Sequence, residues 1–247
     1  MTNMETLKKY NYAHRGFHDK PQIPENSLPA FCRAIEHKFG AEFDVHLLKD
    51  GNLVVFHDND LMRCTGEEGI IEDLTLDQVK KLRLEGTENQ IPTLDEVLEI
   101  FEPTGLPLII ELKHRGSNHL ALTEAVVKRL DTYTGDFCIE SFDPRVVADV
   151  KKLRPEIIRG QLAADFTKDP GDLPAYQIFL LTDLFFNFMT KPNFIAYKFE
   201  DRENPINQKC IKKGIQAFSW TIRTKEDFDT CLSEGSIPIF ETFDPDL

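Results

Sequence analysis

The sequence predicts an α/β chain closed as a (β/α)8 TIM barrel, with a small insertion after the second strand and its hairpin. Three observations lead there. Eight short β-prone runs alternate with helical patterns along the chain. The length, 247 residues, is enough for one large domain and typical of a single such barrel. The residues best suited to chemistry fall at or just after strand ends, where barrels of this kind carry their sites. A doubly wound open sheet would need a Gly-rich phosphate loop, which the sequence lacks.

The first run, residues 11–13, is short and ends at His14. A polar loop follows, and Asn26 or Ser27 caps a helix to about residue 38, with Leu28, Phe31, Ala34 and Ile35 on one face. Glu42-Phe43-Asp44-Val45 is the second strand, so this opening is a parallel crossover unit. Lys49-Asp50-Gly51-Asn52 is a turn that returns residues 53–56 beside that strand. Residues 59–90 interrupt the alternation, with an amphipathic helix near residues 76–84, and read as a lid or substrate-selecting excursion. A helix from residue 92 to residue 101 leads into the strand at residues 108–112. The remaining strands are expected at residues 137–141, 157–162, 194–199, 215–221 and 237–241. Helices at 120–133, 143–153, 176–189, 205–213 and 224–233 separate them. No repeat, low-complexity tract or second-domain linker appears, so residues 1–247 form one domain.

Lys and Arg number 29 against 42 Asp and Glu, a net charge of −13. That disfavours nucleic acid or an anionic membrane surface as partner. An anionic small molecule remains compatible, because a bound cation and one arginine can reverse the potential inside a cleft. The five cysteines are scattered without a paired spacing, which fits a reducing compartment, and residues 1–10 have no apolar signal core. The greasiest run, residues 178–189, is too short to span a bilayer and is interrupted by Asp183. No basic or aromatic surface stretch for membrane docking is evident. The expectation is a cytoplasmic protein acting on a small molecule, of unspecified oligomeric state.

Side chains two apart on a strand share a face, so Glu42 and Asp44 project side by side. They could be solvated charges on an edge strand. Glu111, however, lies within the apolar run Leu108-Ile109-Ile110-Glu111-Leu112, and a buried ionised carboxylate needs a partner or a metal. The three make an oxygen-rich site for Mg²⁺ or Ca²⁺, whereas zinc would want cysteines or paired histidines. His14 alone reads as an ordinary strand-terminal histidine. With Arg15 after it and His57 brought back by the hairpin, the two imidazoles suit acid–base work. Arg15 offers a bidentate fork to an oxyanion, or a structural pair with Glu25. Lys113 faces the same side as Glu111. His37, in a helix, and His46, assigned to the opposite face from Glu42 and Asp44, are taken as incidental, while His18 is a candidate substrate contact.

The ordered blocks His14-Arg15-Gly16, Pro24-Glu25-Asn26-Ser27, Ala30-Phe31, Glu42-Phe43-Asp44-Val45, Lys49-Asp50-Gly51 and His57-Asp58 resemble the signature of the glycerophosphodiester phosphodiesterases. The resemblance implies a metal-dependent hydrolase that releases sn-glycerol 3-phosphate and an alcohol through a cyclic phosphate. It maps the metal ligands onto Glu42, Asp44 and Glu111 and the acid/base pair onto His14 and His57. Arg15, Lys113 and Trp220 then become substrate contacts, with Trp220 a pocket wall. Two departures bear on specificity: Arg223 stands where the family commonly has asparagine, and Phe243 where it has aspartate. Lysophospholipid or inositol-phospholipid cleavage, and phosphodiester binding without turnover, are the competing expectations.

Overall fold

The computed structural model describes residues 2–168, 170–171 and 174–247. Helix α1 (Met4–Leu7) precedes β1 (Tyr12–His14), and α2 (Leu28–Glu36) leads to β2 (Gly40–Leu47). Strand β3 (Leu53–Val55) returns antiparallel to β2. Helices α3 (Met62–Thr65), α4 (Leu76–Val79) and α5 (Leu94–Phe101) separate it from β4 (Leu108–Leu112). Alternation then runs through α6 (His119–Leu130), β5 (Phe137–Ser141), α7 (Pro144–Leu153) and β6 (Arg159–Ala163). It continues through α8 (Ala175–Thr182), α9 (Asn187–Thr190), β7 (Phe194–Lys198), α10 (Pro205–Lys212), β8 (Gln216–Ile222), α11 (Lys225–Ser233) and β9 (Ile237–Phe240).

The sheet order is β1-β9-β8-β7-β6-β5-β4-β2-β3, and a parallel β1–β2 pairing closes it. Eight parallel strands therefore form the (β/α)8 barrel, and β3 hangs outside as the hairpin arm. Strand alternation then sorts the side chains. Phe43, Val45, Leu108, Ile110 and Leu112 point outward into a core shared with α2, α5, α6 and α7. Ile109 and Cys138 point inward with Tyr12, Phe194 and Phe218, and Leu7 of α1 packs among them. The Tyr12 hydroxyl donates to the Leu7 carbonyl at 3.0 Å, fixing α1 across the amino-terminal end of the barrel. The inward residues nearest the opposite end are Glu42, Asp44, Glu111 and Glu140, all buried.

Residues 59–90 have a core of their own, with Leu61, Cys64, Ile71, Val79 and Leu84 against Leu48, Val54 and Phe56. Polar ties pin it to the strand-end loops: Arg63 to Glu25 at 2.6 Å, Lys20 to Glu85 at 2.9 Å, and Glu72 to His46 at 2.7 Å. Two predicted helices are shorter than their patterns. The one near residues 76–84 is a single turn, α4. The one near 176–189 divides into α8 and α9, because Leu184 takes a left-handed backbone (φ 50°) and buries its side chain.

That division corrects the expectation of no aromatic surface stretch. Tyr176 and Phe179 of α8, and Phe185 and Phe188 beyond it, are exposed. Among the described residues no helix is long and apolar enough to cross a membrane.

Candidate active site

The turn after β1 is shaped by backbone rather than by packing. Arg15 (φ 54°) and Gly16 (φ 77°) both take left-handed conformations. A Cβ on Gly16 would lie 2.9 Å from Ala30 Cβ, so only glycine fits. The turn aims the Arg15 N–H at Glu42 Oε2 (3.0 Å), and the Arg15 carbonyl accepts from Asn26 N (2.9 Å). Of the two candidate caps, Ser27 is the one used, its Oγ accepting from Ala30 N. Asn26 is thereby released to donate from Nδ2 to Asp44 Oδ2 at 2.9 Å. Sequence reasoning missed this role for Asn26, and its signal was the adjacent serine that could cap instead.

Adjacent parallel strands bring the carboxylates together, since Asp44 on β2 is in register with Glu111 on β4. One ligand oxygen from each of Glu42, Asp44 and Glu111 lies within 4.8 Å of the others. The Lys113 ammonium enters this group, 2.7 Å from Glu111 Oε1 and 3.1 Å from Asp44 Oδ1, so it neutralises the cluster rather than standing free in a loop. Burial and mutual repulsion push Glu42 well above the usual carboxylate range and Glu111 up to about 7. Burial opposes ionisation of Asp44 too, but Lys113, His57, Arg15 and the Asn26 hydrogen bond hold it well below its ordinary value. Asp44 Oδ1 has no aligned hydrogen-bond donor. Hard oxygen ligands and excess buried negative charge fit a divalent cation. Glu140, in register with Glu111 on β5, is a further inward carboxylate that sequence reasoning passed over. Burial and the nearby Glu111 raise its pKa well above the usual range.

Two imidazoles flank the cluster in matching fashion. His14 Nδ1 lies 2.6 Å from Glu241 Oε2, and His57 Nδ1 lies 2.5 Å from Asp58 Oδ1. Each carboxylate accepts from Nδ1, which leaves Nε2 as the working atom. His14 Nε2 is 3.8 Å from Glu42 Oε2. Burial lowers the His14 pKa to about 4 despite the Glu241 contact, and burial lowers His57 as well. Arg15 Nη1 bonds Glu25 Oε1 at 2.8 Å while its Nε stays 3.8 Å from Asp44 Oδ2, so the structural pair and the approach to the cluster coexist.

Four other residues singled out in the sequence have defined surroundings. Glu42, Asp44 and His46 are spaced by two, so His46 belongs to their face and not the opposite one. It is fully buried, with Nδ1 2.7 Å from Glu72 and Nε2 donating to the His57 carbonyl at 3.3 Å. Arg223 is committed to Glu241, its Nε 2.8 Å from Oε1. Phe243 packs against Phe228 and Phe240 in the layer outside the sheet, away from the carboxylates. His18 Nε2 sits 3.6 Å from Glu241 Oε2.

Residues 14–242 match the profile described as the Glycerophosphoryl diester phosphodiesterase family. The chain belongs to this family. A glycerophosphodiester phosphodiesterase of Caldanaerobacter subterraneus is 32% identical over 239 residues, covering 93% of this chain and 92% of that protein. A solved glycerophosphodiester phosphodiesterase from Thermotoga maritima superposes with a TM-score of 0.71 at 26% identity, over 94% of this chain and 93% of the other. A phosphodiesterase from Oleispira antarctica, solved with the product sn-glycerol-3-phosphate, gives 0.79 at 24% identity, over 96% and 94%. In this glycerophosphoryl diester phosphodiesterase family member, the sequence-selected His14, Arg15, Glu42, Asp44, His57, Glu111 and Lys113 converge on one end of the barrel. Trp220 stands further round, its Nε1–H donating to the Ala196 carbonyl at 3.0 Å and its ring edge-on to Phe142 at 5.5 Å.

Proposed function

We propose that this protein hydrolyses glycerophosphodiesters to sn-glycerol 3-phosphate and an alcohol. The observation that carries the reading is the pair of imidazoles, each anchored through Nδ1 to a carboxylate, on either side of a buried cluster with arginine and lysine beside it. One imidazole Nε2 takes the proton of the glycerol hydroxyl next to the phosphate, and that oxygen attacks phosphorus. The bond to the leaving alcohol breaks as the other imidazole supplies its proton. Water then opens the cyclic phosphate with the proton roles reversed. Arg15 and Lys113 offset the charge on the non-bridging oxygens. A divalent cation, Mg²⁺ or Ca²⁺, held by Glu42, Asp44 and Glu111 would add electrostatic relief at the phosphate.

Trp220 serves as a pocket wall in this reading. Residues 59–90, pinned to the same rim, bear on which alcohol is accepted. The five cysteines are free, which supports a reducing, cytoplasmic setting. The test is a panel of glycerophosphodiesters incubated with Mg²⁺, Ca²⁺ or chelator. Release of glycerol phosphate that the chelator stops is expected, and no release from any substrate would overturn the reading.

A further inference from the structure

A cleft of about 630 Å³ opens beside the carboxylate end of the barrel, between the start of α7 and α8. Its walls are Phe142, Phe166, Tyr176, Leu180, Leu181 and Phe186. Two features join it to the site. Phe142 lines the cleft and also lies under the Lys113 ammonium, 5.9 Å from ring centre to Nζ. His114, the residue after Lys113, lines the cleft's polar end. There Asp143 is already paired with His114 at 2.7 Å and with Arg145 at 2.6 Å, so that end presents no unneutralised carboxylate to a ligand.

Beyond the cleft the apolar surface continues into solvent. Tyr176 and Phe179 are 65% and 59% exposed, and Phe185 and Phe188 are 51% and 71% exposed. Exposed apolar side chains gathered within residues 176–188, the segment that supplies Tyr176 and Phe186 to the cleft, are the kind of surface that marks a binding face. A volume of this order is that of a small-molecule pocket, roughly 300–1,000 Å³. None of the lining side chains comes from residues 59–90.

We propose that this cleft receives an uncharged hydrocarbon chain carried by the leaving alcohol, so that the protein favours glycerophosphodiesters whose alcohol bears an alkyl or acyl chain. The proposal rests on the phosphodiesterase reading above. Its occupant follows from continuity: the cleft begins one residue from Lys113, where the scissile phosphate would lie, and becomes apolar outward. An anionic occupant is disfavoured locally, since Arg145 in the cleft lining is already paired with Asp143.

The experiment measures kcat/KM for glycerophosphodiesters with leaving alcohols from ethanol to dodecanol, each below its micelle concentration. Wild type should rise with chain length, by at most about fourfold per methylene, until the cleft is filled. Leu180→Asp should flatten the series while leaving the ethyl ester unchanged, with melting temperature monitored to exclude unfolding. Binding is measured in parallel by calorimetry with ethyl and dodecyl phosphonate analogues, whose P–C bond cannot be cleaved. The dodecyl compound should bind wild type at least tenfold tighter than the ethyl one, and this preference should vanish in Leu180→Asp.

If no diester is turned over yet the chain-length preference in binding persists, the phosphodiesterase reading fails and the cleft stands. Turnover and binding both indifferent to chain length would overturn the cleft alone. The cleft falls likewise if that indifference accompanies dimers in sedimentation that Phe188→Asp dissociates, since the apolar face would then be a contact between copies.

Discussion

His14 Nδ1 and Glu241 Oε2 are 2.6 Å apart, although 227 positions separate them in the chain. Arg223 grips the other oxygen of the same carboxylate at 2.8 Å. Burial works against ionising Glu241, but its hydrogen bond with His14 and the nearby His18 and Arg223 hold it well below the usual range. The carboxylate therefore keeps the proton on Nδ1 and turns Nε2 towards the cluster.

Glu241→Gln can still accept from Nδ1 but carries no charge, and it should lower kcat roughly tenfold to a hundredfold with KM little changed. Glu241→Leu should lower it further. Steady-state kinetics with melting curves check this. A loss of activity matched by an equal loss in Leu and Gln variants and by a large fall in melting temperature would reduce Glu241 to a structural part.

His14→Ala and His57→Ala should each cost about 10² to 10⁴ in turnover, the usual contribution of one general acid or base. In the proposed chemistry the two act on one proton circuit, so the double variant should be scarcely worse than the poorer single one. Near wild-type rates in both single variants would leave the proposed chemistry without its acid and base.

Glu42→Ala and Glu111→Ala should act on the cation. Calorimetric titration with Mg²⁺ or Ca²⁺ should show at least a tenfold weaker affinity, with activity recovering only partly at high metal concentration. Unchanged titration curves in both variants would place the cation elsewhere.

Glu25 is buried and meets Arg15, Lys20 and Arg63. Burial alone would raise its pKa, but these cations pull it far below its ordinary value of 4.5. Its contribution to stability is therefore present above that ordinary value and is lost as pH falls through the lower folded-state value. Glu25→Gln should cost about 2 kcal/mol near neutrality, less than a fully buried pair because Lys20 and Arg63 are partly exposed. Thermal melts from pH 7 to pH 3 should show the gap between wild type and variant narrowing at the acid end. A constant gap would mean that packing, not charge, is responsible.

Much of this protein is written locally. The two-residue period of β2 puts Glu42 and Asp44 on one face and Phe43 and Val45 on the other, and that sorting survives into the barrel without help from distant residues. The same period, applied one step further, places His46 with the carboxylates, so its face too was legible in the strand. Strand-to-helix alternation likewise determines the number of barrel strands, because each crossover is short and has one hand. What the chain could not disclose locally depends on closure. Only the β1–β9 pairing brings Glu241 and its Arg223 to His14. Only the β2–β4–β5 register sets Glu140 next to Glu111. The apolar cleft joins Phe142 after β5, Phe166 after β6 and the side chains of α8, three segments that no period in the sequence brings together.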